Sequence, residues 1–185
     1  MKTTNIKQRY QKDAIPGMKE SLGIKNPMAL PKIAKVVVNV GVGKILKDSK
    51  RVDEVVASLE KITGQKVVMT RARKAIAGFK IREDLEIGVR VTLHGERMWS
   101  FLDRLFLIAL PRVRDFQGLS ERVVDSYGNA NIGLKEHSIF PEIVPETVQH
   151  LFSFQVNIVT TAKDKKEGME LFRLIGLPLQ TEETK

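Results

Sequence analysis

Met69-Thr70-Arg71-Ala72-Arg73-Lys74-Ala75-Ile76-Ala77-Gly78-Phe79-Lys80-Ile81-Arg82 is the stretch on which the fold turns. Between residues 71 and 82 it holds five cations (Arg71, Arg73, Lys74, Lys80, Arg82) and no acid. Its few apolar residues fit neither a helical nor a strand period. A strand-like run at 65–70 leads in, and another at 87–94 leads out. The stretch therefore reads as a long basic finger between two strands. Loops beyond about 12 residues are uncommon in compact domains and tend to be functional or disordered. A finger with this charge suits a polyanion. The plainer reading is a solvated, mobile loop that is basic by chance.

The charge of the whole chain sharpens that choice. Net charge is +9 over 185 residues. Residues 1–35 carry eight cations and two acids, residues 71–82 carry +5, and the remainder is left at −2. Charge concentrated in two places points to two contact surfaces rather than to general solubility. The length fits a single domain, expected over 1–180, with a frayed tail at 181–185. With no cysteine, disulfides and thiolate metal sites are excluded, and a reducing compartment suits the composition. No signal-like apolar run opens the sequence, and the longest apolar run, 105–110, is too short to span a bilayer. A cytoplasmic protein without membrane contact is expected.

Working outward from the finger, residues 4–22 read as a helix in a basic segment spanning 1–34. Ile6, Tyr10, Met18 and Leu22 face inward, and Pro16 must kink it or start a new helix. Residues 35–42 alternate as a strand, with Val36, Val38, Val40 and Val42 on one side. Asp48 or Ser49 caps a helix carrying Val52, Val55, Val56, Leu59 and Ile62, and Gly64 stops it. After the finger, residues 87–94 place Ile87, Val89, Val91 and Leu93 on one face. The strongest helix follows, from Met98 to Ala109, and Pro111 ends it. Residues 112–150 form an inserted irregular region, in which 123–125 and 130–135 could pair as a hairpin. A last strand at 153–161 points Phe154, Val156 and Ile158 inward. A last helix begins at Asp164 and Glu167, which match a capping box, and stops at Gly176.

Without the insertion and the terminal helices, the order is β-α-β, finger, β-α-β. That is the ferredoxin-like, split βαβ arrangement: an α+β, two-layer fold, mostly antiparallel, with helices on one face. The other face stays open. Strand parity puts Asn39, Arg90, Thr92, Gln155 and Asn157 on it, with Lys66 and Thr70 as further candidates. Such groups suit sugar hydroxyls, phosphates and the edges of a folded RNA. Aromatics for stacking splayed bases are missing from this face. An open polar face can also simply be wet; the regional charge favours RNA.

Catalytic patterns do not assemble. His94, His137 and His150 form no zinc-protease pair and flank no GxSxG serine. Glu142 and Glu146 lie in a proline-flanked loop, not on a helix face. Gly41-Val42-Gly43-Lys44 fails the phosphate-loop pattern, because Val38 and Ile45 stand where glycine and Ser or Thr are needed. An enzyme that uses the finger as a lid over a phosphorylated substrate therefore lacks a nucleophile and a base. No enzymatic activity and no cofactor are expected. A general nucleic-acid chaperone is a further alternative.

Four motifs, in chain order, carry a resemblance. They are Lys35-Val36-Val37-Val38-Asn39-Val40-Gly41-Val42-Gly43; Arg73-Lys74-Ala75-Ile76-Ala77-Gly78-Phe79-Lys80-Ile81-Arg82-Glu83; Phe101-Leu102-Asp103-Arg104-Leu105 with Ala109-Leu110-Pro111-Arg112-Val113-Arg114-Asp115-Phe116; and Ile139-Phe140-Pro141-Glu142-Ile143. Together they resemble the bacterial large-subunit ribosomal protein L-five family, from about residue 5 to Pro178. The resemblance implies a structural protein that binds 5S rRNA in the central protuberance beside 23S rRNA and other 5S-associated ribosomal proteins. It implies that the finger, 72–86, meets P-site tRNA, and that a small-subunit head protein is bridged. Carried over by position, the 5S rRNA candidates are Asn39, Gln65, Thr70, Arg90 and Thr92. The tRNA candidates are Arg73, Lys74, Lys80 and Arg82, and the bridge candidates are Arg112, Arg114, Asp115 and Glu142. The chain departs from the family pattern at Ala75, at Asp84, at 126–130 and at 144–148.

Overall fold

Alternate valines bury one side of strand β1 (Ile33–Gly41): Val36, Val38 and Val40 are inside, while Asn39 and Gly41 are exposed. The computed structural model describes residues 5–46, 48–144, 146 and 148–180. The tail expected to fray at 181–185, together with Thr4, Pro145 and Thr147, lies outside the described residues. β1 begins two residues before the expected strand, with a register irregularity between Ile33 and Lys35. It sits at the centre of a sheet with β2 (Val68–Arg71), β3 (Glu86–Leu93), β4 (Ala130–Leu134) and β5 (Phe154–Thr160). The order is β2-β3-β1-β5-β4, and each neighbouring pair is antiparallel. Leaving β4 aside, this is the split βαβ order read from the sequence.

β4 corrects the reading of the insertion. A hairpin between 123–125 and 130–135 is not what forms. Only Val124 bridges to Ala130, and β4 instead pairs along its whole length with β5. The insertion is thus part of the sheet and the core. His137, Ile139, Phe140 and Ile143 from it are buried.

The helices cover one face of the sheet. α3 (Ser49–Thr63) is capped by Asp48, whose carboxylate accepts from the Arg51 N–H at 3.4 Å, and it closes at Gly64 in the left-handed region. α4 (Gly95–Arg104) buries Met98, Phe101 and Leu102. α5 (Lys165–Ile175) buries Leu171, Phe172 and Ile175. Its expected capping box is displaced by one residue. The Glu167 carboxylate accepts from the Lys163 N–H at 2.9 Å, but Asp164 makes no side-chain cap bond.

Pro16 starts a new helix, one of its two expected outcomes, and Pro111 ends its helical run to within one residue, but neither breaks the path sharply. Pro16 starts α2 (Ile15–Leu22), yet the chain stays helical from α1 (Ile6–Arg9) through a π segment, Tyr10–Ala14. Pro111 sits in a 3-10 turn, Leu110–Arg112, that continues α4 through a second π segment, Leu105–Ala109. In each case a widened turn comes before the proline: Ile15 donates to the Tyr10 carbonyl, and Leu110 to that of Leu105. Widening shifts the hydrogen bonding by one residue, so the missing proline N–H leaves little unpaired. α1 is then pinned to α4 by the Ile6 N–H on Asp103 at 2.7 Å and by a Lys7–Glu96 ion pair.

Nothing in the sequence sets His137 apart from the other histidines, and the structure buries it completely. Its ring stacks on Phe152 with centroids 4.0 Å apart. Burial holds its pKa below the ordinary imidazole value of 6.5. The unfolded chain therefore takes up a proton here at a pH where the folded chain does not. Stability is fully present above about pH 6.5 and falls as pH drops below it. The melting temperature should decline from pH 7.5 to 5.5, and His137→Phe should flatten that decline. An unchanged slope in the variant would remove His137 as its cause. Glu54 and Asp125 also titrate below their ordinary values of 4.5 and 3.8, so their stabilisation is lost only in more acidic solution. For Glu54, burial acts to raise the value, but hydrogen bonds from His150 and from the Gln149 and His150 N–H groups outweigh it.

Candidate nucleic-acid interface

Strand register turns scattered polar residues into rows. On the face away from the helices, Val68, Arg90, Asn39, Gln155 and Gly133 stand side by side across all five strands. All five are exposed. At the usual strand spacing this row is about 20 Å wide. The next row holds Thr92, Val37, Asn157 and Asn131, with an amide hydrogen bond from Asn157 to Asn131. Asn131 and Gly133 escape the sequence reading because it assigns β4 to a hairpin rather than to this edge.

A third row pairs Thr70 with Gly88, and Gly88 with Gly41. A Cβ at Gly88 would lie 2.5 Å from the Thr70 hydroxyl oxygen and 3.3 Å from the Val40 carbonyl. Glycine is therefore needed at 88 for Thr70 to lie across the strand. Thr70 covers the buried Gly88, while Gly41 beside it is exposed and leaves its backbone open to close approach by a ligand. Gln65 is partly committed: its side-chain amide donates to the Thr92 carbonyl at 3.0 Å and ties the entrance of β2 to β3. Its own carbonyl oxygen remains to accept.

The finger is a hydrogen-bonded hairpin rather than an irregular loop. At its base the Ala72 N–H donates to Leu85 at 2.8 Å, and the Asp84 N–H returns to Ala72 at 3.0 Å. Higher up, Ile76 and Ile81 exchange bonds of 2.9 and 3.2 Å around a 3-10 turn, Ala77–Phe79. Arg73, Lys74, Lys80 and Arg82 are all exposed, and none makes an ion pair among the described residues. Arg71 differs, lying 3.7 Å from Glu86 at the root. The tip also shows Phe79, 75% exposed, and Ile76.

Arg112, Arg114 and Asp115 lie exposed after α4 and line a depression of about 550 Å³ with Gly133, Lys135 and Ser138. Arg114 and Asp115 approach to 3.9 Å at near-complete exposure, where an ion pair contributes little. Glu142 is placed differently from these three. Its side chain is only 22% exposed and pairs with Arg104 of α4.

Among the described residues, no cluster of His, Asp and Glu is arranged to hold a metal, and no helix is long and apolar enough to cross a membrane. The site as a whole is a wide polar sheet face with a cationic hairpin projecting beside it. Two family profiles match: Ribosomal protein L5 over residues 26–82, and the C-terminus of the same ribosomal family over 86–179. The large ribosomal subunit protein uL5 of Rubrobacter xylanophilus is 50% identical over 175 residues, covering 95% of this chain and 97% of that one. That of Carboxydothermus hydrogenoformans is 48% identical, covering 94% and 97%, and that of Desulforapulum autotrophicum is 47% identical, covering 96% and 99%. The chain belongs to the ribosomal protein L5 family, a family of structural proteins rather than enzymes.

Proposed function

We propose that this L5-family chain, a structural protein of the large ribosomal subunit, binds 5S rRNA on its open sheet face and helps seat it in the central protuberance against 23S rRNA and the other 5S-associated proteins. The exposed row Arg90–Asn39–Gln155 carries this reading. It offers one cation and two amides in register on a flat support, where folded RNA presents phosphates, 2′-hydroxyls and base edges. Thr70, Thr92 and the remaining acceptor of Gln65 extend the contact. The finger meets P-site tRNA through Arg73, Lys74, Lys80 and Arg82. Arg112, Arg114 and Asp115, with Glu142, face a small-subunit head protein.

Asn39→Ala should weaken 5S rRNA binding by roughly 1–3 kcal/mol, the cost of leaving a buried RNA group unpaired. Asn39 is exposed in the protein alone, so the fold should not change. Native affinity, measured by filter binding, would place Asn39 outside the interface.

Replacing residues 73–82 by a Gly-Gly turn should leave 5S rRNA affinity within about twofold while weakening tRNA contact on assembled subunits. The phosphate-contacting cations would be gone from the finger, yet the sheet face would be intact. A collapse of 5S rRNA binding with retained circular dichroism would show that the two surfaces do not divide the work in this way.

A further inference from the structure

At the end of the sheet opposite the finger, a tyrosine is held out on an unusually well-tied turn. Asp125 anchors it: one carboxylate oxygen accepts the N–H groups of Tyr127 and Asn129, each at 2.9 Å, and the other accepts the Asn129 amide at 3.1 Å. From β5, Thr160 donates its hydroxyl to the Gly128 carbonyl at 2.8 Å, and its N–H to the Asn129 side chain at 3.0 Å. Gly128, at φ +75°, lies directly on Gly168 of α5; a Cβ on Gly168 would overlap the Gly128 backbone. The turn is thus tied to β5 and packed on α5, and Tyr127 stands 71% exposed on it.

The backbone brings cations to the same place. A Cβ on Gly128 would touch Ala162 and the Asp164 carbonyl at 2.7 and 3.0 Å, so the turn abuts the connector that carries Lys163 and leads into Lys165 and Lys166 at the start of α5. Lys32 joins them, because its backbone is bonded both ways to Thr161, at 2.9 and 3.1 Å. All four lysines are exposed, and none makes an ion pair among the described residues. Asp164 is the exposed acid among them. This surface belongs to the end of the helical layer, away from the open face.

We propose that Tyr127 with Lys32, Lys163, Lys165 and Lys166 forms a second RNA contact, in which an unpaired base stacks on the tyrosine ring and the lysines hold the flanking phosphates. An acidic peptide would use the lysines but gain little from the ring, whereas every base has a π face to lay on it. The fixed turn removes the ordering cost that a floppy tyrosine would carry.

The test uses the full chain with Tyr127→Trp in a Trp99→Phe background, which keeps an aromatic ring against Tyr10. Titration with a 12-nucleotide oligoadenylate should quench the new tryptophan, and Lys165→Glu with Lys166→Glu should move the quenching to higher RNA concentration. In a chain whose finger cations are replaced by alanine, Tyr127→Ala should lower oligoadenylate affinity about tenfold, and Tyr127→Phe should retain it. Saturating RNA binding without quenching, equal quenching by polyglutamate, or equal affinity of the Ala and Phe variants would each overturn the proposal. None of these results bears on the open-face reading.

Discussion

5S rRNA affinity should fall about a thousandfold between 50 and 200 mM monovalent salt if the chain neutralises about six phosphates, because each neutralised phosphate releases counterions into solution. The regional charge supports a slope of that size: residues 1–35 alone carry +6, and Arg90 stands on the open face beside Asn39. The same measurement apportions the contact. Arg90→Ala should lower the slope of log affinity against log salt by about one. Asn39→Ala should lower affinity while leaving the slope unchanged, since an amide releases no counterion. A flat salt dependence would remove phosphates from the interface and leave only the amides and hydroxyls to account for binding.

Phe101→Ala should cost about 3–5 kcal/mol of folding stability, the usual range for emptying a large aromatic site in a core. Phe101 is fully buried on α4 and stacks on Phe140 of the insertion, with centroids 5.8 Å apart and planes 18° from parallel. Phe140 in turn meets Phe154 of β5 at 5.9 Å. The three rings join a helix, the insertion and the sheet, and no single element can close over the resulting cavity. Urea denaturation should show a lower midpoint, and residues 137–143 should lose hydrogen-exchange protection first. A loss below about 1 kcal/mol would mean that the insertion relaxes freely, so that it is draped on the core rather than packed into it.

How far the sequence could be read depended on how local each feature is. The caps of α3 were legible because Asp48 and Gly64 act within one turn of themselves. The parity of β3 was legible because Arg90 and Thr92 alternate with Val89, Val91 and Leu93 whatever lies beside them. β4 was not, although Ala130, Ile132 and Leu134 show the strand period. Periodicity says that a segment is a strand but does not say which strand it joins. The π segments before Pro16 and Pro111 were illegible for a related reason: a proline signals a lost hydrogen bond, and the surrounding packing decides whether the helix breaks or widens.

By itself, the order of residues determined where the cations lie and which strand faces are apolar. Those are properties of composition and short-range spacing. Tertiary structure alone decided that Gln155 and Gly133 extend the Asn39 row to the sheet edge, that His137 is sealed against Phe152, that the finger closes on itself, and that Tyr127 is held out beside four lysines. Each of these depends on residues far apart in the chain finding one another. Burial of the shared core drives that step, and no local pattern encodes it.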